Sequence, residues 1–320
     1  MNVNRTAADA LLDLKSITVF NGWPSIARMS FEEIDSYLAE RGLLWKINPC
    51  PSCQDAREIT RQKSTTGDST KLKFECHKRS CRSAEVSCKI GFLKGTFFEG
   101  LRGNRKKIFL ASLLYTNCSI SIEDLAKQVE IEENTASQWC QWFRDIMADD
   151  FFQPATKIGG IGEVVQIDET NIVKRKHNVG RMVRDGWLVG GIQNNSRSVF
   201  IEITGKRDKA ALEAIITKYV LPGTTIVTDC WAGYNGLKAL GFDHQTVNHS
   251  TNFVNPITGH HTQRIESLWS HLKRKIKPRC GFKGDLWDDH YFEALWHFKY
   301  HNEAKFYELW AGIAKKYPVT

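Results

Sequence analysis

Two cysteine pairs constrain this chain more than any other feature: Cys50-Pro51-Ser52-Cys53, and, a hairpin's length further on, Cys76-His77-Lys78-Arg79-Ser80-Cys81. A C-x2-C turn answered by C-x4-C offers four thiolates to a tetrahedral Zn2+ held between two turns. The strand-like stretch Lys71 to Phe74 and a turn at Gly67-Asp68 supply the hairpin between them. Four protein ligands leave no open coordination position, so the expected ion is structural. His77 is an alternative to Cys76, and Cys88 is a further thiol on the following strand. Five of the nine cysteines fall in this one segment. With no secretory apolar region at the start, clustering of this kind points to metal ligation before disulfides. No apolar run approaches the roughly 20 residues of a bilayer span, so a soluble, intracellular protein without a membrane partner is expected.

With 320 residues, 42% of them hydrophobic, the chain has room for two or three modules and is not of a disordered class. Lys and Arg total 44 against 36 Asp and Glu, a formal charge of +8 that favours an anionic partner. Lys71, Lys73, Lys78, Arg79 and Arg82 surround the cysteine turns and are candidates for DNA backbone contact, with a solvated basic face as the alternative.

Residues 1–46 carry two short helical patterns, Ala7 to Leu14 and Ser30 to Arg41, the second opened by Ser30 and Glu33 as a capping box and closed by Gly42. A zinc ribbon over 47–100 follows, then a helical module over 101–153. Within that module, helices are expected over Arg105 to Tyr115, from Ser121 to Val129 and from Glu132 to Met147. A short helix, a turn and a longer helix match a helix-turn-helix, in which Thr135, Ser137 and Gln138 would face the major groove. A plain three-helix bundle is the rival reading.

Beyond Pro154 the pattern changes. Val164-Val165-Gln166-Ile167-Asp168 is an apolar strand ending in an acid, Trp187 to Ile192 and Val199 to Ile203 are two more strands, and Ala210 to Tyr219 is a helix. Thr225-Ile226-Val227-Thr228-Asp229 is again an apolar strand ending in an acid. Gly233 to Leu240 reads as a helix and His244 to Val247 as a short strand. The next helix runs from His260 to Lys275, with Ile265, Leu268, Trp269, Leu272 and Ile276 as its buried stripe. Its acid, Glu266, has no cation three or four residues on and no Ser or Thr three residues before it, so neither an ion pair along the helix nor a capping box explains it.

Three antiparallel strands, a helix, a parallel strand, a helix, a strand and a helix predict an α/β, ribonuclease H-like catalytic domain over 154–284, a mixed sheet with helices. Asp168 and Asp229 at strand ends and Glu266 on a covering helix are what two-metal phosphoryl chemistry requires: carboxylates on one edge holding two Mg2+ (or Mn2+) ions about 4 Å apart. Glu169 beside them is either a supporting group or a simple strand-end acid. Lys174, Arg175, Lys176 and Arg181 in the first hairpin are candidate DNA contacts, as are His261, Arg264, Lys273, Arg274, Lys275 and Lys277. His249 and His260 read as structural, and Trp231 and Tyr234 as packing beneath the site. Residues 285–320 form an aromatic-rich helical pattern expected to close the catalytic domain or join a second subunit.

Ile167-Asp168-Glu169-Thr170, Lys174 to Arg181, Thr228-Asp229-Cys230-Trp231-Ala232-Gly233-Tyr234, Val247-Asn248-His249-Ser250 and His261 to Trp269 resemble the motifs of Merlin transposases and of bacterial insertion-sequence transposases with an ISXO2-like DDE domain. The resemblance implies a cut-and-paste DNA transposase: hydrolysis at the ends of its element, then transfer of the 3′-OH into target DNA. Asp168, Asp229 and Glu266 are by position the metal-binding triad. Some bacterial relatives carry Asn in the third place, where this chain has Glu. The resemblance also implies a homodimer or larger assembly on paired ends of double-stranded DNA, and a nuclear location in a eukaryotic host or a cytoplasmic one in bacteria. A nuclease without strand transfer and a transposase-derived DNA-binding regulator are the alternatives.

Overall fold

The computed structural model describes residues 6–62, 71–82, 88–152, 157–171, 187–196, 198–248, 254, 259–276 and 286–319. Two compact units result: Met1–Ile146 with Asn302–Thr320, and Met147–His301.

The first unit opens with α1 (Ala7–Leu12), α2 (Val19–Arg28) and α3 (Phe31–Glu40). The predicted capping box at Ser30 forms, and Gly42 takes the left-handed conformation after the helix. Helix α2 was not expected: Pro24 argues against a helix, yet a second capping box, Thr18 with Asn21, starts it. Strands β1 (Glu58–Gln62), β2 (Lys71–Glu75) and β3 (Lys89–Gly91) make an antiparallel sheet; Cys76 directly follows β2 and the single turn α4 (Arg79–Arg82) carries Cys81.

Helix α5 (Arg105–Asn117) is buried on every side from Ile108 to Thr116 and is the axis of this unit. Around it lie α2, α3, α6 (Ile122–Val129) and the C-terminal helix Lys305–Lys316. Phe109 meets Tyr37, Phe306 and Trp310, and the Trp310 indole donates to Ser112 Oγ at 3.0 Å. The aromatic tail is therefore not one helical segment. Its second half packs on the N-terminal unit, because Phe306, Leu309, Trp310 and Ile313 form a buried stripe that α5 covers. After α6, Glu130 adopts a left-handed turn and α7 runs Glu133–Phe152, so the predicted helix, turn and helix are present.

In the second unit a short parallel pair, β4 (Ile158–Gly159) with β8 (Val220–Leu221), flanks a five-stranded sheet. Strands β5 (Val164–Thr170), β6 (Trp187–Gln193) and β7 (Val199–Thr204) pair antiparallel, while β9 (Thr225–Thr228) lies parallel to β5 and β10 (Asp243–Thr246) parallel to β9. The sheet order β10-β9-β5-β6-β7 reproduces the strand grammar read from the sequence. Helix α8 (Lys209–Tyr219) covers one face, against Val165, Ile167, Val189 and Ile226. On the other face α9 (Gln263–Ile276) and α10 (Leu286–Lys299) pack against Leu188 and Ile192. The expected helix over Gly233 to Leu240 is two 3-10 turns, Ala232–Tyr234 and Leu237–Leu240. Close packing on α8 explains this: a Cβ on Gly236 would run into the Glu213 carboxylate.

Candidate functional site

Side chains on a strand alternate between faces. On β5, Val165 and Ile167 enter the core under α8, which turns Gln166 and Asp168 towards α9. In the parallel pair, Val164, Val165 and Gln166 stand opposite Thr225, Ile226 and Val227; two more residues of that register set Asp229 level with Asp168. The strand expected to end in Asp168 instead runs on to Thr170, while Asp229 directly follows β9; the parallel register carries the two carboxylates to one level.

Asp168 is the most perturbed acid there. Burial, the neighbouring Glu169 charge and the Asp229 charge push its carboxyl up to about 6, although the Trp269 indole donates to its Oδ2 at 3.0 Å. Glu169 is also raised, first by burial; it accepts from the Tyr234 hydroxyl and lies 3.6 Å from the Arg207 guanidinium. That guanidinium stacks over Trp187 and Trp231, at 4.1 and 4.8 Å from the ring centroids. Asp229 accepts the Trp231 amide at 2.9 Å, which fixes the turn after β9. Tyr234 is fully buried under the site as expected, but Trp231 is 41% exposed. The open-chain cluster of acids is thus partly desolvated and mutually repulsive, a setting that a cation would relieve.

Glu266 sits exposed on the first turn of α9, and the Thr262 hydroxyl donates to its Oε1 at 3.0 Å. Its helix is anchored by the predicted stripe, with Ile265, Leu268 and Leu272 fully buried. Among the described residues the three carboxylates do not all close to within 4.8 Å of one another, whereas the four cysteines do. The Asp229 charge acts on Asp168, and Glu266 stands on the helix whose Trp269 donates to Asp168.

The cysteine cluster is tighter. Cys50, Cys53, Cys76 and Cys81 bring their sulfurs together, and Cys53 Sγ lies 3.8 Å from Cys76 Sγ. Sulfurs about 2.3 Å from a tetrahedral zinc stand about 3.8 Å apart, so the geometry fits. The Cys53 and Ser52 amides hold the Cys50 thiol down to about 6, while burial pushes Cys81 up to about 12. The alternatives fall outside the cluster: Cys88 Sγ donates to the Cys81 carbonyl and His77 Nε2 is 3.5 Å from Glu58.

The candidate DNA contacts divide. Ser137 and Gln138 are exposed on α7 and Thr135 half-buried, beside the exposed acids Glu132 and Glu133. Arg79 is exposed, Lys73 half-buried, and Lys78 pairs with Asp55. The Arg264 guanidinium donates to the Ser196 carbonyl at 2.6 Å and Lys273 to Thr170 Oγ1 at 2.7 Å, so both are bound within the fold, while Arg274 is exposed. His261 meets the Gln166 amide. Lys174, Arg175, Lys176, Arg181 and Lys277 lie outside the described residues, as does His249, and the side chains of Lys71, Arg82 and Lys275 are likewise not described.

Gln166, Trp269, Thr262 and Arg207 escaped the sequence reading as site residues. Gln166 carried a signal as an amide within the apolar run Val164 to Ile167, and Thr262 and Trp269 lay inside the motif His261 to Trp269, whereas Arg207 carried none.

Residues 161–281 match the family profile of the ISXO2-like transposase domain. An uncharacterised transposase-like protein of Haemophilus influenzae is 29% identical over 103 residues, 31% of this chain and 80% of that protein. A simian T-cell lymphotropic virus intasome structure aligns at a TM-score of 0.29 and 17% identity, covering 55% of this chain and 68% of that one. The Mos1 strand transfer complex aligns at 0.21 and 12%, covering 66% and 78%. Neither superposition is close enough to argue from. The match does not single out the Merlin group, and the relative is bacterial, so the nuclear location is not supported. Among the described residues no helix is long and apolar enough to cross a membrane.

Proposed function

We propose that this chain is a cut-and-paste DNA transposase with a ribonuclease H-like catalytic unit and the acids Asp168, Asp229 and Glu266, a reading supported by the match of residues 161–281 to the ISXO2-like transposase domain. The observation that carries the reading is the pair of parallel strands whose register carries Asp168, within β5, and Asp229, just after β9, to one level, with the burial-strained Asp168 among further acids. Two divalent cations bound there would activate the attacking oxygen and stabilise the leaving one. The chain's own groups prepare the site: Trp269 orients Asp168, the Trp231 amide orients Asp229 and Thr262 orients Glu266.

Water would add at the phosphodiester at an element end, releasing a 3′-OH; that hydroxyl would then displace a 3′-oxygen at a target phosphodiester, so one bond forms for each broken. Zinc on Cys50, Cys53, Cys76 and Cys81 would be structural. The ribbon with Lys73 and Arg79, and the α6–α7 pair with Thr135, Ser137 and Gln138, would bind the ends, in an assembly of at least two subunits. The test incubates the protein with DNA carrying the element's ends, a plasmid target and Mg2+ or Mn2+. Wild type is expected to yield cleaved and joined products and Glu266→Gln neither. Wild-type protein that binds ends but neither cuts nor joins would replace this reading with that of a DNA-binding regulator.

A further inference from the structure

Gln166 has no exposed surface, and its amide is used from both sides. Oε1 accepts the backbone amides of Arg264 at 3.0 Å and Ile265 at 3.2 Å; Nε2 donates to Asn194 Oδ1 at 2.7 Å and meets His261 Nδ1 at 3.3 Å. Two N–H donors on one side fix which atom is the oxygen. Since Nε2 can only donate, Nδ1 of His261 accepts, and the neutral imidazole carries its proton on Nε2. The two amides belong to the first turn of α9, where no intrahelical acceptor exists. Helices ordinarily find that acceptor in the residue just before them. Here it comes from a strand 98 residues earlier in the chain, two positions from Asp168 and on the same face.

We propose that Gln166 is a positioning residue, fixing the height and rotation of the Glu266 helix against the strand that carries Asp168. Arg264 and Ile265 immediately precede Glu266, so the two hydrogen bonds clamp the turn that bears this acid. A slip of one residue along α9 would move Glu266 by about 1.5 Å in height and about 100° in rotation, far beyond what shared metal ligands tolerate. The hydrophobic stripe alone resists such a slip weakly, since apolar contacts are non-directional. The inference rests on the reading of Asp168 and Glu266 as ligands of one metal centre.

The experiment measures Mn2+ binding to the zinc-loaded full chain by electron paramagnetic resonance, together with kcat and KM for end cleavage. Gln166→Met keeps the shape and removes the acceptor. It is expected to weaken Asp168-dependent Mn2+ binding at least tenfold and to lower kcat to a similar degree, with KM for DNA unchanged. Gln166→Glu keeps the oxygen facing Arg264 and Ile265 and is expected to recover most of both. Ile215→Ala, a cavity on the opposite face of the sheet, is the stability control and should leave Mn2+ affinity alone. If Gln166→Met does not fold, Gln166→Asn, one methylene shorter, should show the same loss. Mn2+ affinity and kcat within twofold of wild type in the folded Met or Asn variant overturn the proposal. Wild-type protein that binds no Mn2+ through Asp168 removes the underlying reading, and the proposal with it.

Discussion

Asp168 shows what a candidate metal ligand does to the protein that carries it. In an unfolded chain its carboxyl titrates near the ordinary aspartate value, about 3.9. In the fold, burial and the adjacent acids push it up to about 6. The folded state therefore holds the proton more tightly, so this stabilising contribution is complete below about pH 4 and is lost as pH rises through about 6, a change on the order of 2–3 kcal/mol. Asp168→Asn retains an oxygen to accept from Trp269 and has no charge to desolvate. Urea unfolding without added divalent cation should show the variant more stable than wild type at pH 7.5, with the gap closing towards pH 4.5. Parallel stability profiles for the two proteins across that range would mean that Asp168 is not strained. The acid itself was legible in the sequence as the carboxylate closing an apolar run, although its strand continues to Thr170. Its strain was not, because it arises from Glu169, Asp229 and the covering helix together.

At the scale of elements, the seat of α9 on the sheet depends on a residue with no side chain. Gly190 stands opposite Asp168 on β6, and a Cβ there would lie 2.6 Å from Trp269 Cη2. Gly190→Ala must therefore push the indole off the strand, and with it the donor to Asp168. A loss of about 1–3 kcal/mol is expected, as for other overpacked contacts. Unfolding by urea measures it, and an unchanged midpoint would show that α9 has slack. Periodicity located α9 and its buried stripe correctly, since an amphipathic helix declares its face locally. It misjudged 233–240, where the packing of glycine turns against α8 favours 3-10 geometry over the propensity of the segment. The long aromatic tail likewise read as one pattern, although its two helices, Leu286–Lys299 and Lys305–Lys316, serve different units.

For the whole molecule, the ribbon is the part whose folding should depend on an ion. Its own core is little more than Phe74 and Phe92 stacked beside four cysteines, and sheets this small seldom hold without a staple. Metal analysis is expected to find one tightly held zinc per chain. Chelation should abolish amide-exchange protection in β1 to β3 while β5, β6 and β9, buried under helices on both faces, keep theirs. Protection in the ribbon that survives zinc removal would count against a structural metal.

What the sequence determined by itself were the features written in local order: the cysteine spacing, the apolar runs that close on Asp168 and Asp229, the stripe of α9 and the basic balance of the chain. These follow from ligand chemistry and from the periods of strand and helix, which neighbouring residues share. Only the tertiary structure decided that Gln166 caps the helix of Glu266, that Gly190 admits Trp269 to Asp168 and that the last helix packs on α5. Those contacts join residues tens to a hundred positions apart. No local pattern encodes such partners; the directionality of hydrogen bonds and the exclusion of overlapping atoms select them only once sheet and helices are in place.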